Sequence, residues 1–159
     1  VRPEESPGGG MPGTGTHLLD AFVSIGGSVS GVNARLTSYR KGADPRDTIG
    51  INFEFTNGLT GYFGAVRASP FYWRVQVFGD EGSAEALGET QVVLRSRGGK
   101  VEVRDFPKVD SIPAELDAFA DAVEGRAPYP ITPKEIVDVV AAFEAIIKSM
   151  SSGKPVSIG

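Results

Sequence analysis

The stretch "TIGINFEFTNGLTGYFGAVRAS", residues 48–69, decides the fold. Ile49, Ile51, Phe53 and Phe55 alternate with Gly50, Asn52 and Glu54, the period of a strand with one buried face. Asn57-Gly58 is the dipeptide favoured in a two-residue type I′ turn, and the return strand runs from Leu59 to about Ala68. That turn pairs Thr56 with Leu59 and Phe53 with Tyr62. Tyr62 and Val66 then share the face of the alternating Ile and Phe residues. Leu59, Phe63 and Ala65 share the other with Asn52, Glu54 and Thr56. One face is expected to meet helices of the same domain. The second meets another subunit or domain, or else Leu59 and Phe63 are isolated surface residues.

Neighbouring stretches extend the sheet. Upstream, "SVSGVNARLTSYR" (Ser28–Arg40) reads as an extended strand and "KGADPRD" as a loop. Downstream, "YWRVQVFG" and "SAEALGE" flank the turn "GDEG", and "TQVVLRSR" and "KVEVRDF" flank Gly98-Gly99. Helices stand at both ends. From Thr16, the residues Leu18, Leu19, Phe22, Val23 and Ile25 form an apolar face, Gly26-Gly27 ends the helix, and Thr14 or Thr16 is the expected cap. Ser111 and Pro113 open a second helix with Leu116, Phe119, Ala120 and Val123 on one face, ended by Gly125. Thr132-Pro133-Lys134-Glu135 is a capping box with proline at the first helical position. It opens a longer helix in which Ile136, Val139, Val140, Phe143, Ile146, Ile147 and Met150 repeat at three and four residues. Gly153 closes that helix, and "PVSI" adds a short final strand. This order predicts an α+β fold: an open, predominantly antiparallel sheet with helices packed on one face. Residues 1–159 are expected to form one domain.

Composition narrows the function. With 159 residues, 40% hydrophobic and 23% charged, the chain has the make-up of a globular domain with its own core. A net charge of −4 and scattered basic residues argue against nucleic acid. Without cysteine there is no disulfide, thiolate metal site or cysteine nucleophile, and the single histidine, His17, excludes the usual histidine-rich metal sites. No apolar run is long enough to cross a bilayer and no signal peptide is visible, so no membrane partner and a cytoplasmic location are expected. The chain starts at Val1 rather than Met, as a piece of a longer protein would.

In "GGGMPGTGTHLLDAF" (Gly8–Phe22), Gly10, Gly13 and Gly15 approach the phosphate-loop spacing G-x-x-x-x-G-K-[ST]. Thr16 and His17 stand where Lys and Ser/Thr belong, and the preceding "VRPEESP" is a poor strand. A nucleotide-phosphate site is not expected there. Backbone N–H groups at the helix start can still hold an anion or polar group.

The same stretch resembles a motif of the Gfo/Idh/MocA oxidoreductases, the family of glucose–fructose oxidoreductase and inositol dehydrogenase, roughly G-G-x-x-x-D-x-G-x-H-x-x-D. Gly8-Gly9, Gly15, His17 and Asp20 fall on it without a gap. "DTIGINFEFTNGLTGYF" and "VQVFGDEGSAEAL" look like two hairpins of the family. "ELDAFADAVEGRAPYPITPKEIVDVVAAFEAIIKSMSSGKPVSI" is similar to its C-terminal signature, which ends in S-x-x-x-g-x-x-v. The order agrees across nearly the whole chain.

The resemblance covers the C-terminal half of such a protein. It implies that NAD or NADP is bound by an N-terminal Rossmann domain that this chain lacks, as it lacks the E-K-P segment with a catalytic lysine. No cofactor and no activity are expected of these residues alone. What the resemblance implies is the substrate-binding and oligomerising half of an oxidoreductase that moves hydride to or from a sugar, polyol or related hydroxy compound. It also implies a homo-oligomer whose copies pair through the sheet face. His17 falls where a histidine commonly serves as acid/base, with a pKa range suited to it. A carboxylate usually assists four residues earlier, and here that position is Gly13. The catalytic reading therefore stands beside a non-catalytic binding or assembly module of the same fold. Thr14 and Thr16 offer hydroxyls and Asp20 a hydrogen-bonding role. Tyr72, Trp73 and Arg74 form an aromatic-cation cluster at a strand start near the family's substrate pocket. That makes Trp73 and Arg74 candidate substrate contacts, with packing the simpler alternative. Arg40 and Lys41 suit an anionic substrate or a solvated loop.

Overall fold

The alternating run of residues 49–55 does form a strand, but its return strand arrives in a different register. A computed structural model describes residues 15–38, 47–66, 69–70 and 72–159. The strands are β1 (Val29–Thr37), β2 (Thr48–Phe55), β3 (Thr60–Val66), β4 (Arg74–Gly79), β5 (Gly82–Leu87), β6 (Gln91–Ser96), β7 (Val101–Asp105) and β8 (Val156–Ser157). The helices are α1 (Thr16–Gly26), α2 (Ser111–Val123) and α3 (Pro133–Ser152). The class is α+β, as expected. The strands divide into two four-stranded antiparallel sheets, β3-β2-β1-β8 and β4-β5-β6-β7. The chain separates into two compact units, Val1–Pro70 with Ile131–Gly159, and Phe71–Pro130.

In the first unit, β2 and β3 pair Ile51 with Phe63 and Asn52 with Tyr62. The expected pairing is thus corrected by one residue, and in a strand one residue exchanges the faces. Phe63 is buried in the core, whereas Tyr62 and Val66 stand exposed on the opposite face. The cause is the turn. The Gly58 N–H donates to the Phe55 carbonyl, the Phe55 N–H donates to the Leu59 carbonyl, and only Gly58 carries positive φ, at 86°. This is a three-residue loop ending in a left-handed glycine rather than a type I′ turn, which needs two such residues. Asn57 keeps ordinary φ because its side chain serves elsewhere. Its amide donates to the Gly26 carbonyl at the end of α1 (2.8 Å), and its carbonyl oxygen accepts from the Leu59 N–H.

A bulge in β1 completes this sheet. The register with β2 shifts between Val29 and Gly31, so that both Val29 and Val32 reach the core. Leu19 and Val23 of α1 and Ala142, Ala145 and Ile146 of α3 pack on that same face. Phe22 lies 5.2 Å from Phe53, ring to ring. The helices face the core largely as expected, through Leu18, Leu19, Phe22 and Val23 of α1 and Val139, Phe143, Ile146 and Met150 of α3, but part of each expected stripe turns away. Ile25, Ile136 and Val140 are exposed, and α3 turns its alanines to β1 instead. Small side chains allow the helix axis to approach the sheet closely, and that outweighs the larger apolar residues on the neighbouring face.

The capping box is formed as read: Thr132 accepts from the Glu135 N–H, and Glu135 reaches back to the Thr132 N–H. The Thr132 N–H first and the Thr132 hydroxyl second, both donating to the Glu135 carboxylate, hold it below its ordinary pKa. In the second unit, Asp110 caps α2, and Phe119 meets Tyr129 edge to face. The α2 stripe of Ile112, Leu116, Phe119 and Val123 is exposed throughout.

Candidate functional site

The start of α1 carries most of the residues singled out in the sequence. Leu19 and Val23 are buried in the core, which fixes the rotation of the helix. Two residues before Leu19, His17 is therefore turned outward and is exposed; Asp20 lies one turn on and is half-buried. Residues three apart on a helix are neighbours, so the imidazole and the Asp20 carboxylate belong to one side of α1. Among the described residues neither side chain has a hydrogen-bond partner. Gly15, in helical conformation (φ −68°, ψ −30°), occupies the N-cap position, and no side chain caps the helix. The threonine cap is thus corrected: Thr16 is already helical, because the preceding glycine adopts helical angles and the turn begins there. Thr14 lies outside the described residues, as do Gly13, Arg40 and Lys41. An exposed imidazole on a first helical turn can exchange a proton with a bound hydroxyl.

Trp73 and Arg74 belong to the second unit. Trp73 is half-buried, and its carbonyl accepts from the Gly88 N–H (3.0 Å). Arg74 begins β4, lies 6.0 Å from the Tyr72 ring and donates to Glu85 (3.3 Å). Arg95 donates to the other Glu85 oxygen at 2.8 Å. Reading the sequence missed Glu85 and Arg95. Their only signal is alternation on β5 and β6, which becomes informative once the strand register is known.

A third cluster was also missed. The Ser28 hydroxyl donates to Asp138 (2.7 Å), and the Lys134 ammonium donates to Ser28 (2.5 Å) and to Asp138 (2.6 Å). Serine beside lysine suggests a nucleophile with its base. Here Lys134 is exposed, ion-paired with Asp138, and donates to the serine oxygen, which is not the arrangement of a base taking the serine proton. The cluster ties the first turn of α3 to the start of β1. Lys134, then Ser28, hold the Asp138 carboxyl below its ordinary pKa.

Among the described residues no group of His, Asp and Glu has the grouping of a metal site. No helix there is long and apolar enough to cross a membrane. Every strand pairing is antiparallel, so these residues contain no βαβ unit whose helix start could receive a dinucleotide pyrophosphate.

The sequence profile described as the GFO/IDH/MocA C-terminal domain matches residues 1–85. No curated protein matches the chain by sequence. Several solved structures share its fold. A Desulfitobacterium hafniense protein named as an NADPH-dependent oxidoreductase superposes with a TM-score of 0.86 at 20% identity, over 99% of this chain and 50% of its own. An Agrobacterium radiobacter oxidoreductase in complex with NAD+, L-tartaric acid and magnesium gives 0.77 at 19% identity, over 94% and 49%. The WlbA dehydrogenase of Bordetella pertussis, in complex with NADH and UDP-GlcNAcA, gives 0.70 at 15%, over 94% and 45%. The chain spans about half the length of these relatives.

Proposed function

Since the chain belongs to the GFO/IDH/MocA C-terminal domain family, we propose that it is the substrate-binding and oligomerising half of an NAD(P)-dependent oxidoreductase acting on a sugar, polyol or related hydroxy compound by hydride transfer. The observation that carries this is the exposed imidazole of His17 on the first turn of α1, with Gly15 and Asp20 at the motif's spacings around it. His17 is the acid/base for the substrate hydroxyl. Thr14, Thr16 and Asp20 hold substrate oxygens, and Trp73 and Arg74 are further candidate substrate contacts. The dinucleotide is held by a Rossmann half outside these residues, in the cytoplasm. Relatives solved with L-tartaric acid and with UDP-GlcNAcA support a small-molecule substrate.

The test is NAD(P) reduction by the longer protein with polyols, sugars and hydroxy acids. His17→Ala should lower kcat/KM by roughly 10²–10⁴, the usual contribution of a general acid/base. An unchanged rate would remove His17 from the chemistry. Gly13, at the position of the assisting carboxylate, favours a second reading: a binding module without turnover. That reading expects tight dinucleotide binding and no reduction with any substrate in the panel.

A further inference from the structure

Glu85 is a carboxylate buried on an open sheet: its side chain is 7% exposed. It is paired not once but twice. Arg74 on β4 and Arg95 on β6 each give it one terminal nitrogen, on opposite oxygens. The register explains this. Glu85 sits on the strand between them, opposite Gln76 and Val93, and the two arginines occupy diagonal positions on the same face. One arginine would neutralise one carboxylate. The second leaves the trio with a net positive charge, in a chain whose net charge is −4.

The arginines are also positioned to bind more. Their side chains remain 53% and 45% exposed. A guanidinium has five N–H donors in a planar fork, and Glu85 takes one nitrogen from each. Among the described residues no other acceptor meets either fork. Two forks held in place by a buried carboxylate have already lost their side-chain freedom, the main cost of ordering an arginine around a ligand. Arg95 also borders, with Ser83 and Ser96, a hollow of about 380 Å³. Asp80 and Glu81 line the same hollow and would repel a polyanion.

We propose that Arg74 and Arg95, braced by Glu85, form a binding site for a single carboxylate or phosphate group on a small ligand. The site stands whether or not His17 is catalytic, because it rests on the second unit alone.

The chain of 159 residues is titrated with sodium phosphate and, separately, with sodium acetate, at ionic strength held constant with sodium chloride. The arginine side-chain Nε–Hε signals are followed by NMR, with glucose as the uncharged control. Saturating shifts of Arg74 and Arg95 are expected in the millimolar range with at least one anion, and none with glucose. Phosphate alone, or acetate alone, identifies which group the site takes. Arg95→Gln should weaken binding about tenfold, the loss of a charge-assisted hydrogen bond. Should that variant fail to fold, Arg95→Lys decides: it keeps the charge, loses the fork and is expected to bind several-fold more weakly. Shifts that never saturate with either anion, or variants that bind as the parent does, would overturn the proposal.

Discussion

Ser149 takes the place of a strand. β8 pairs with β1 only at Gly31 and Val32, so the Ala34 N–H lies beyond the end of that ladder. The Ser149 hydroxyl accepts from it at 2.9 Å and donates to the Lys154 carbonyl at 2.7 Å, fully buried. Ser149→Ala strips the buried Ala34 N–H and the part-buried Lys154 carbonyl of their partner. The expected cost is about 2 kcal/mol, read as a lower urea midpoint at unchanged slope. Ser149, Gly153 and Val156 are the S-x-x-x-g-x-x-v of the C-terminal signature. The pattern was visible in the sequence, but its meaning was not, because the partner of Ser149 is 115 positions away. Gly26 is a second such residue. Glycine to alanine in a helix normally gains up to about 1 kcal/mol. Here the added Cβ would stand 2.5 Å from the Phe55 ring, in a packed core. Overpacking of that kind costs about 1–3 kcal/mol, so Gly26→Ala should destabilise, and a raised melting temperature would contradict the packing described.

Among the elements, the β2–β3 hairpin and α3 show what local sequence can decide. Alternation and capping act within a few residues, so strand, turn position and capping box were all legible. Turn type was not, because it depends on an Asn57 amide engaged by the far end of α1. The same limit hid the latch at the first turn of α3. Lys134 and Asp138 are a visible i,i+4 pair, but Ser28 joins from β1. That latch gives a pH prediction. The folded-state pKa of Asp138 is depressed, so its stabilisation is present above the unfolded value of about 3.9 and is lost as pH falls through the lower folded value. Stability measured from pH 6 down to 2 should therefore fall less steeply in Asp138→Asn than in the parent. Parallel curves would deny the carboxylate this role.

At the scale of the molecule, the α+β class followed from segregated strands and helices. The division into two sheets did not, since strand count says nothing about which edges meet. The corrected register also moves the proposed oligomer contact. The exposed face of β3 carries Tyr62 and Val66, whereas Phe63 lies in the core and Leu59 is exposed in the turn. Tyr62→Glu should leave a folded chain that sediments as a monomer, whereas Phe63→Glu should unfold it, because it places a charge in the core. A folded Phe63→Glu variant would restore the other register.

The position of β1 has a consequence during synthesis. One of its edges pairs with the strand that follows, while the other waits for β8 and for Ser149, 115 residues after Ala34. A nascent chain therefore leaves the ribosome with helix, hairpin and an open strand edge. Until α3 emerges, that edge can pair with any neighbouring chain. Translation stalled before residue 149 should leave the first sheet with an unpaired β1 edge and yield aggregates through it.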